Sequence, residues 1–367
     1  MIKVPFVNLG LQYKNYRKDI LKQFDLLSSK GEYILGKELS LFEKQFASFC
    51  GTKYAVGVGN GSDALTFSLL SLKIGPGDEV IIPANSFVAT AWTVANVGAK
   101  IVYADINNDF NIDPESVLKL ISSKTKAIIP VHLTGKICEI ETINKIAKKF
   151  NIYVIEDSAQ SIGSTYKNKK SGSFGITGCF SLHPLKNLHV HGDGGIITTN
   201  NKLLYDYFLK IRNHGLKNRD ECEFWGYNSR LDNIQAAIAR IKLKSINKIN
   251  NRFRKIAKMY SNELKDYIEV PIDDENRKSI FHRYIIKYSE RDKLKNYLEK
   301  KGIETKINYP IPLHKQEASR KINFKKKSLT NTEQLSKKIL SLPIYYEMTD
   351  KQVEYVINQI KKFFKKN

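Results

Sequence analysis

At 367 residues, with 42% hydrophobic and 11% aromatic content, the chain carries enough apolar material for a sizeable core, which excludes disorder as its default state. Its net charge of +23 raises nucleic acid, membrane surface and phosphorylated ligands as partners. The lysines are scattered beside Asn and Ile instead of gathered in one stripe, so neither a nucleic-acid nor a membrane partner is expected.

Four cysteines (Cys50, Cys138, Cys179, Cys222) lie far apart without metal-ligand spacing and read as free thiols. The opening Met1–Phe6 lacks a signal-peptide core, and no run nears the ~20 apolar residues of a membrane span. A soluble, cytoplasmic chain is expected.

Residues 1–50 read as an extended opening followed by helical patterning. Leu39, Phe42, Phe46 and Phe49 fall at three- and four-residue steps on one apolar face, after a loop at Gly31–Gly36. Tyr54–Val58 is a strand that runs into glycines. Ser62 is then the expected N-cap of a helix through Leu72. Glycines admit close backbone approach, and free N–H groups at a helix start attract phosphate. Gly57 and Gly59 also supply two positions of a dinucleotide fingerprint. Ser62 stands at the third, which makes that reading weak.

Further strands are expected at Glu79–Pro83, Lys100–Asp105, Ala127–His132, Ile152–Glu156, Gly178–Leu182 and Gly195–Thr199. Helices are expected at Ser86–Val97, Pro114–Ser122 and Glu139–Phe150. Strand and helix alternating over this length predict an α/β fold with a seven-stranded, mostly parallel sheet. Sites in such sheets collect at the strands' carboxyl ends.

One stretch concentrates chemistry at those ends. Glu156-Asp157-Ser158-Ala159-Gln160 closes one strand, Ser181-Leu182-His183-Pro184-Leu185-Lys186-Asn187-Leu188 closes another, and Gly192-Asp193-Gly194-Gly195 follows. Apolar neighbours suggest partial burial of Lys186, and a desolvated lysine becomes an amine nucleophile. An amine, an acid at a strand end and a hydroxyl suit pyridoxal phosphate: Lys186 for the Schiff base, Asp157 for the pyridinium nitrogen, Ser181 for the phosphate. His183, His189, His191 and Asp193 raise a metal site, but histidine spacing alone is weak evidence and no metal is expected.

Toward the C-terminus, helices are expected at Leu203–Asn213 and Asn233–Lys244, and a further helical run extends to about Leu264. Beyond it come β-like Arg283–Tyr288, a helix at Arg291–Lys301, and β-like Ile303–Tyr309. Val353, Val356, Ile357, Ile360, Phe363 and Phe364 form a last helical face. The change of organisation predicts a large domain over 1–245 and a smaller α+β domain over 246–367. Lys325–Lys327 reads as a solvated charge cluster.

The EDSAQ segment, the S-x-H-P-x-K-N-L segment and GDGG resemble the DegT/DnrJ/EryC1 family of nucleotide-sugar aminotransferases. That resemblance covers nearly the whole chain and implies a fold-type I pyridoxal-phosphate enzyme working as pyridoxal and pyridoxamine phosphate in turn. It implies that Gly61, Ser62 and Asp63 bind the cofactor phosphate, that Phe87 stacks on its ring, and that Gln160 sits near its phenolic oxygen. The Gly31–Gly36 loop and Asn228, in Gly226-Tyr227-Asn228-Ser229-Arg230, would reach the neighbouring protomer's site, giving a homodimer with shared sites. Tyr309 and His314 would face the sugar nucleotide.

The implied acceptor is a nucleotide-diphosphate keto sugar, with glutamate as the expected donor. GNGSDAL and GDGG look more like the branch aminating C3 of dTDP- or UDP-linked sugars than the C4 branch. Alternatives are the C4 branch, a sugar dehydratase, and a non-catalytic regulatory relative. The dehydratases carry histidine where this chain has Lys186.

Overall fold

A computed structural model describes residues 3–272, 274–320 and 329–366, so Lys325–Lys327 lie outside the described residues. The strands are β1 (Tyr54–Val58), β2 (Glu79–Pro83), β3 (Lys100–Ala104), β4 (Thr125–Ile128), β5 (Tyr153–Asp157), the short β6 (Thr165–Tyr166) and β7 (Lys169–Lys170), β8 (Thr177–Ser181), β9 (Gly195–Thr199), β10 (Arg277–Lys278), β11 (Tyr284–Lys287) and β12 (Ile339–Leu342). Seven of them make the central sheet in the order β1-β9-β8-β5-β4-β2-β3. Only β9 runs antiparallel to its neighbours there.

Helices cover both faces, and alternate strand residues divide between them. Val80 and Ile82 point into a core with Leu65, Phe67 and Val94. Ile81, Val102, Ile128 and Val154 point the other way, against Val117, Ile140 and Ile143. A further cluster packs Phe42 and Phe46 of the Lys37–Cys50 helix on Ala55, Phe180 and Ile196.

Several boundaries differ from expectation for identifiable reasons. The strand expected at Ala127–His132 is Thr125–Ile128. Pro130 follows, with no N–H to give a ladder; its carbonyl accepts from Asp157 N at 2.9 Å. The helix expected to be capped by Ser62 is Gly61–Ser71, capped by Asn60, whose side chain accepts from Asp63 N at 2.8 Å. A 22-residue helix, Leu9–Lys30, occupies part of the opening. Its apolar residues form no single stripe: Ile20 and Leu27 are buried, while Phe24 and Leu26 are exposed.

After Leu243, the Ile246–Leu264, Arg291–Lys300 and Asp350–Lys366 helices pack on the antiparallel pair β11–β12. Their core includes Phe253, Tyr260, Tyr284, Leu294, Leu342 and Val356. The β-like run expected at Ile303–Tyr309 makes only single bridges, Val4 to Ile303 and Lys306 to Ser341.

Candidate active site

Asp157 ends β5, and adjacent Glu156 necessarily points to the opposite face of the strand. Asp157 is buried; Thr90 Oγ1 donates to its Oδ2 at 2.9 Å and Ala159 N to its Oδ1 at 3.2 Å. Burial pushes this carboxyl above its usual range, against those hydrogen bonds and the charge of Lys186. Glu156 is a structural hub instead. It accepts from Gly172 N at 2.8 Å, from Phe174 N and Gly175 N at 2.7 Å, and pairs with His132 Nε2 at 2.9 Å. Because His132 Nδ1 accepts from Cys138 N at 3.3 Å, the network assigns its proton to Nε2, toward Glu156.

Lys186 lies on the loop joining β8 to β9. Leu182 N to Gly194 O (2.7 Å) and Val190 N to Leu182 O (2.9 Å) tie the loop's base. Lys186 N donates to His183 O at 2.9 Å, and its carbonyl meets His189 Nδ1 at 3.0 Å. The next residue, Asn187, is held from both sides: its Nδ2 donates to Asn250 Oδ1 at 3.1 Å, and its Oδ1 meets His282 Nδ1 at 3.1 Å. The lysine is thus positioned by its backbone while its amine stays unpaired among the described residues. Burial, followed by the charge of Arg283, lowers the Lys186 amine to about 8, with Asp157 pulling the other way.

The turn after β1 approaches the end of β8 closely. A Cβ on Gly61 would stand 2.9 Å from Ser181 Cβ, and one on Gly195 would stand 2.2 Å from the Asn60 carbonyl oxygen. Asp63 faces Ser229 Oγ at 2.6 Å and Asn60 Nδ2 at 3.0 Å, and burial raises its carboxyl. Ser229 Oγ also accepts from Gly59 N at 2.9 Å, fastening the turn to the segment before the Asn233–Leu243 helix.

A cavity of about 300 Å³ is lined by Gly61, Ser62, Phe87, Asp157, Gln160, Ser181, Lys186 and Tyr309. It adjoins a larger, mostly apolar cleft of about 660 Å³ that Asp63, Phe87, Trp92 and Ser319 line. Phe87 is 53% exposed, its ring centroid 6.0 Å from that of Tyr309. Gln160 accepts from Thr134 N at 3.0 Å and donates to the Tyr309 hydroxyl at 3.4 Å.

Two residues named from the sequence are not brought into these cavities. His314 meets Glu333 Oε1 at 3.1 Å and packs on Tyr103, so its ring is held by the fold away from the cavity walls. Asn228 is exposed and bridges to Asn213, outside this chain's own cavity. Sequence reading also missed Thr90, Ser229 and Arg283. Thr90 had a signal, standing three residues after Phe87 on the first turn of the Val88–Asn96 helix. Ser229 and Arg283 had none, since each reaches the site from distant sequence. Among the described residues no group of three or more His, Cys, Asp or Glu is placed to hold a metal.

The sequence model of the DegT/DnrJ/EryC1/StrS aminotransferase family matches residues 14–361. A pleiotropic regulatory protein of Geobacillus stearothermophilus is 39% identical over 99% of both chains. The dTDP-3-amino-3,6-dideoxy-alpha-D-galactopyranose transaminase of Aneurinibacillus thermoaerophilus is 41% identical over 98% of this chain and 99% of its own. The crystal structure of NtdA from Bacillus subtilis with bound cofactor PMP superposes with a TM-score of 0.93 at 32% identity, over 100% of this chain and 86% of that one. With a match over almost its full length and a lysine, an acid and a glycine turn converging at the strand ends, the chain belongs to the DegT/DnrJ/EryC1/StrS aminotransferase family.

Proposed function

We propose that this protein is a pyridoxal-phosphate-dependent aminotransferase that moves an amino group from glutamate to C3 of a dTDP- or UDP-linked keto sugar. The observation that carries it is the pairing, in one cavity, of a lysine amine lowered to about 8 with a buried carboxylate lacking a cationic hydrogen-bond partner. The residues fit the cofactor. Buried Asp157 matches a protonated ring nitrogen, and the helix start at Gly61 and Ser62, on one cavity wall with Ser181, matches a phosphate. Gly61 and Ser62 open that helix, where first-turn amides have no helical acceptor.

When bound, the cofactor supplies an aldehyde for the amine and an electron-withdrawing ring. The chain supplies the rest. Lowered to about 8, Lys186 holds a neutral amine in about one molecule in ten at pH 7 and in more as pH rises; that amine would take the proton from the donor's α-carbon and return it to the carbon on the other side of the nitrogen. Asp157 holds the proton at the ring nitrogen, where charge develops. Phe87 would cover one ring face, Gln160 would orient the ring edge, and Ser62 and Ser181 would hold the phosphate end, while Asp63, its amide and carboxylate taken up by Asn60 and Ser229, braces the turn. Tyr309 closes the wall beside Lys186. Amination of the keto sugar uses the same groups in reverse, which gives ping-pong kinetics.

The C3 assignment rests on the GNGSDAL and GDGG resemblance and on the Aneurinibacillus relative, whose name specifies a 3-amino sugar. The Geobacillus relative's name points to regulation, but the lowered Lys186 amine beside Asp157 favours catalysis. Incubating the protein with glutamate and a panel of dTDP-, UDP- and GDP-linked 3- and 4-keto sugars tests the reading. Amination of a 3-keto sugar is expected. Turnover confined to 4-keto sugars would overturn the position, and no turnover with any sugar would overturn the reading. Borohydride should trap the cofactor on Lys186, and Lys186→Ala should abolish the adduct; mapping it to another lysine would reject the assignment.

We further propose that the active unit is a homodimer and that Asn228 acts in the partner's site. Its exposure outside its own cavity, together with exposed Phe24, Tyr33, Ile34 and Trp225, supports this.

A further inference from the structure

Thr90 is the third residue of the Val88–Asn96 helix, and Ser86 lies just before that helix starts. Both are buried, and both line the Lys186–Asp157 cavity. Thr90 Oγ1 donates to Asp157 Oδ2 at 2.9 Å, and the Ser86 and Thr90 hydroxyl oxygens stand 2.9 Å apart. A hydroxyl carries one hydrogen, and Thr90 gives its own to the carboxylate. Ser86 is therefore the donor of the second bond. The three groups form one directed chain, from Ser86 to Thr90 to Asp157. Thr90 also stands in the first turn of its helix, whose partial positive charge favours an anion beside it.

Burial works against the carboxylate form of Asp157, and the bond from Thr90 is the largest effect opposing burial. A hydroxyl that itself accepts a hydrogen bond is polarised and holds an anion more firmly. The other oxygen, Oδ1, has only the longer bond from the Ala159 amide, at 3.2 Å. With the cofactor bound, one proton lies between Asp157 and the ring nitrogen. A hydrogen bond that favours the carboxylate sends that proton to the ring. Burial alone would favour a neutral acid facing a neutral ring.

We propose that Thr90, backed by Ser86, is a positioning residue that keeps this proton on the ring nitrogen and off Asp157. The assignment rests on the aminotransferase reading above, in which Asp157 faces the ring nitrogen, and deepens it. No atom enters or leaves; only the place of the shared proton is decided. Phe87 is the N-cap of the same helix, so one turn sets both the ring's stacking partner and its proton.

The test loads the holoenzyme with pyridoxal phosphate isotopically labelled at its ring nitrogen. Nuclear magnetic resonance of that atom reads where the proton lies, without any turnover. Wild type should show a protonated ring and Asp157→Asn a neutral one. A neutral ring in wild type, or a protonated one in Asp157→Asn, would reject the placement of Asp157 and take the proposal with it. Thr90→Val keeps the shape and removes the hydroxyl. It should move the proton toward Asp157 by about tenfold or more, as for a lost hydrogen bond to a charged group, and draw the signal toward the neutral value. With glutamate, kcat should fall by about tenfold while KM stays within about threefold, because Thr90 acts through Asp157. Thr90→Ser should restore both readings, and Ser86→Ala should give a smaller displacement in the same direction. A residue that merely braced the helix would leave the nitrogen signal unmoved. A Thr90→Val protein that binds cofactor, melts as wild type does and keeps the protonated-ring signal would overturn the proposal. So would a Thr90→Ser protein with the displaced signal, since the hydroxyl would then not be the cause. If Thr90→Val fails to hold cofactor, Ser86→Ala carries the same test, and an unmoved signal there would overturn the proposal.

Discussion

Lys186 and Asp157 illustrate how burial sets chemistry in opposite directions. Desolvation disfavours charge on both, so the amine falls and the carboxyl rises. For the amine, the neutral fraction grows as pH passes the lowered value. Capture of pyridoxal phosphate by the apoenzyme should therefore accelerate with a midpoint at about 8, not at the ordinary 10.5. Stopped-flow reconstitution across pH reads this directly, and a midpoint above ~10 would contradict the burial argument. For the carboxyl, Asp157→Asn keeps the shape and the hydrogen bond from Thr90 but loses the charge that holds a ring proton. Turnover should drop by about two to three orders of magnitude while the variant stays folded. Near-wild-type kcat would leave Asp157 a structural role only.

At the scale of elements, the site depends on where strands stop. Strand alternation sends Asp157 to the cavity and Glu156 into the protein, where one carboxylate holds three backbone amides and His132. That hub fastens the Gly172–Gly175 turn to β5, just before β8 begins. Glu156→Gln turns one acceptor oxygen into a donor among donors. Apoenzyme stability in urea should fall by about 3 kcal/mol or more, as for a buried charge whose partners are left unpaired. A loss below ~1 kcal/mol would mean that the turn is held by other contacts. The glycine positions follow the same logic: Gly195 is required because the Asn60 carbonyl leaves no room for a Cβ.

At the scale of the molecule, two cores meet around the cavity, and we propose that the boundary falls near residue 245, between the Asn233–Leu243 and Ile246–Leu264 helices. No helix among the described residues is long and apolar enough to cross a membrane. The dimer proposal is tested here. Lys186→Ala and Asn228→Asp, each inactive alone, should recover activity when subunits exchange, because one site of each heterodimer then has both native residues. A demonstrated heterodimer that stays inactive would place Asn228 in its own protomer's site.

What the sequence by itself determined was whatever is local. Apolar runs of strand length between helical periods specified the seven-stranded α/β sheet, since both faces of each strand are buried. The clustered residues at strand ends (Asp157, Gln160, Ser181, Lys186) were legible because a strand and its following loop carry them together. The Leu9–Lys30 helix was not legible, because apolar residues also fall on its exposed faces, as at Leu11, Leu21 and Leu26, and blur the buried one. Only the tertiary structure decided the rest. It brought Thr90 to Asp157 and Ser229 to Asp63, placed Arg283 beside Lys186, and held His314 on Glu333 away from the cavity. Those contacts join residues from 19 to 166 positions apart, and no periodicity records them. They are set by how the second core packs against the sheet.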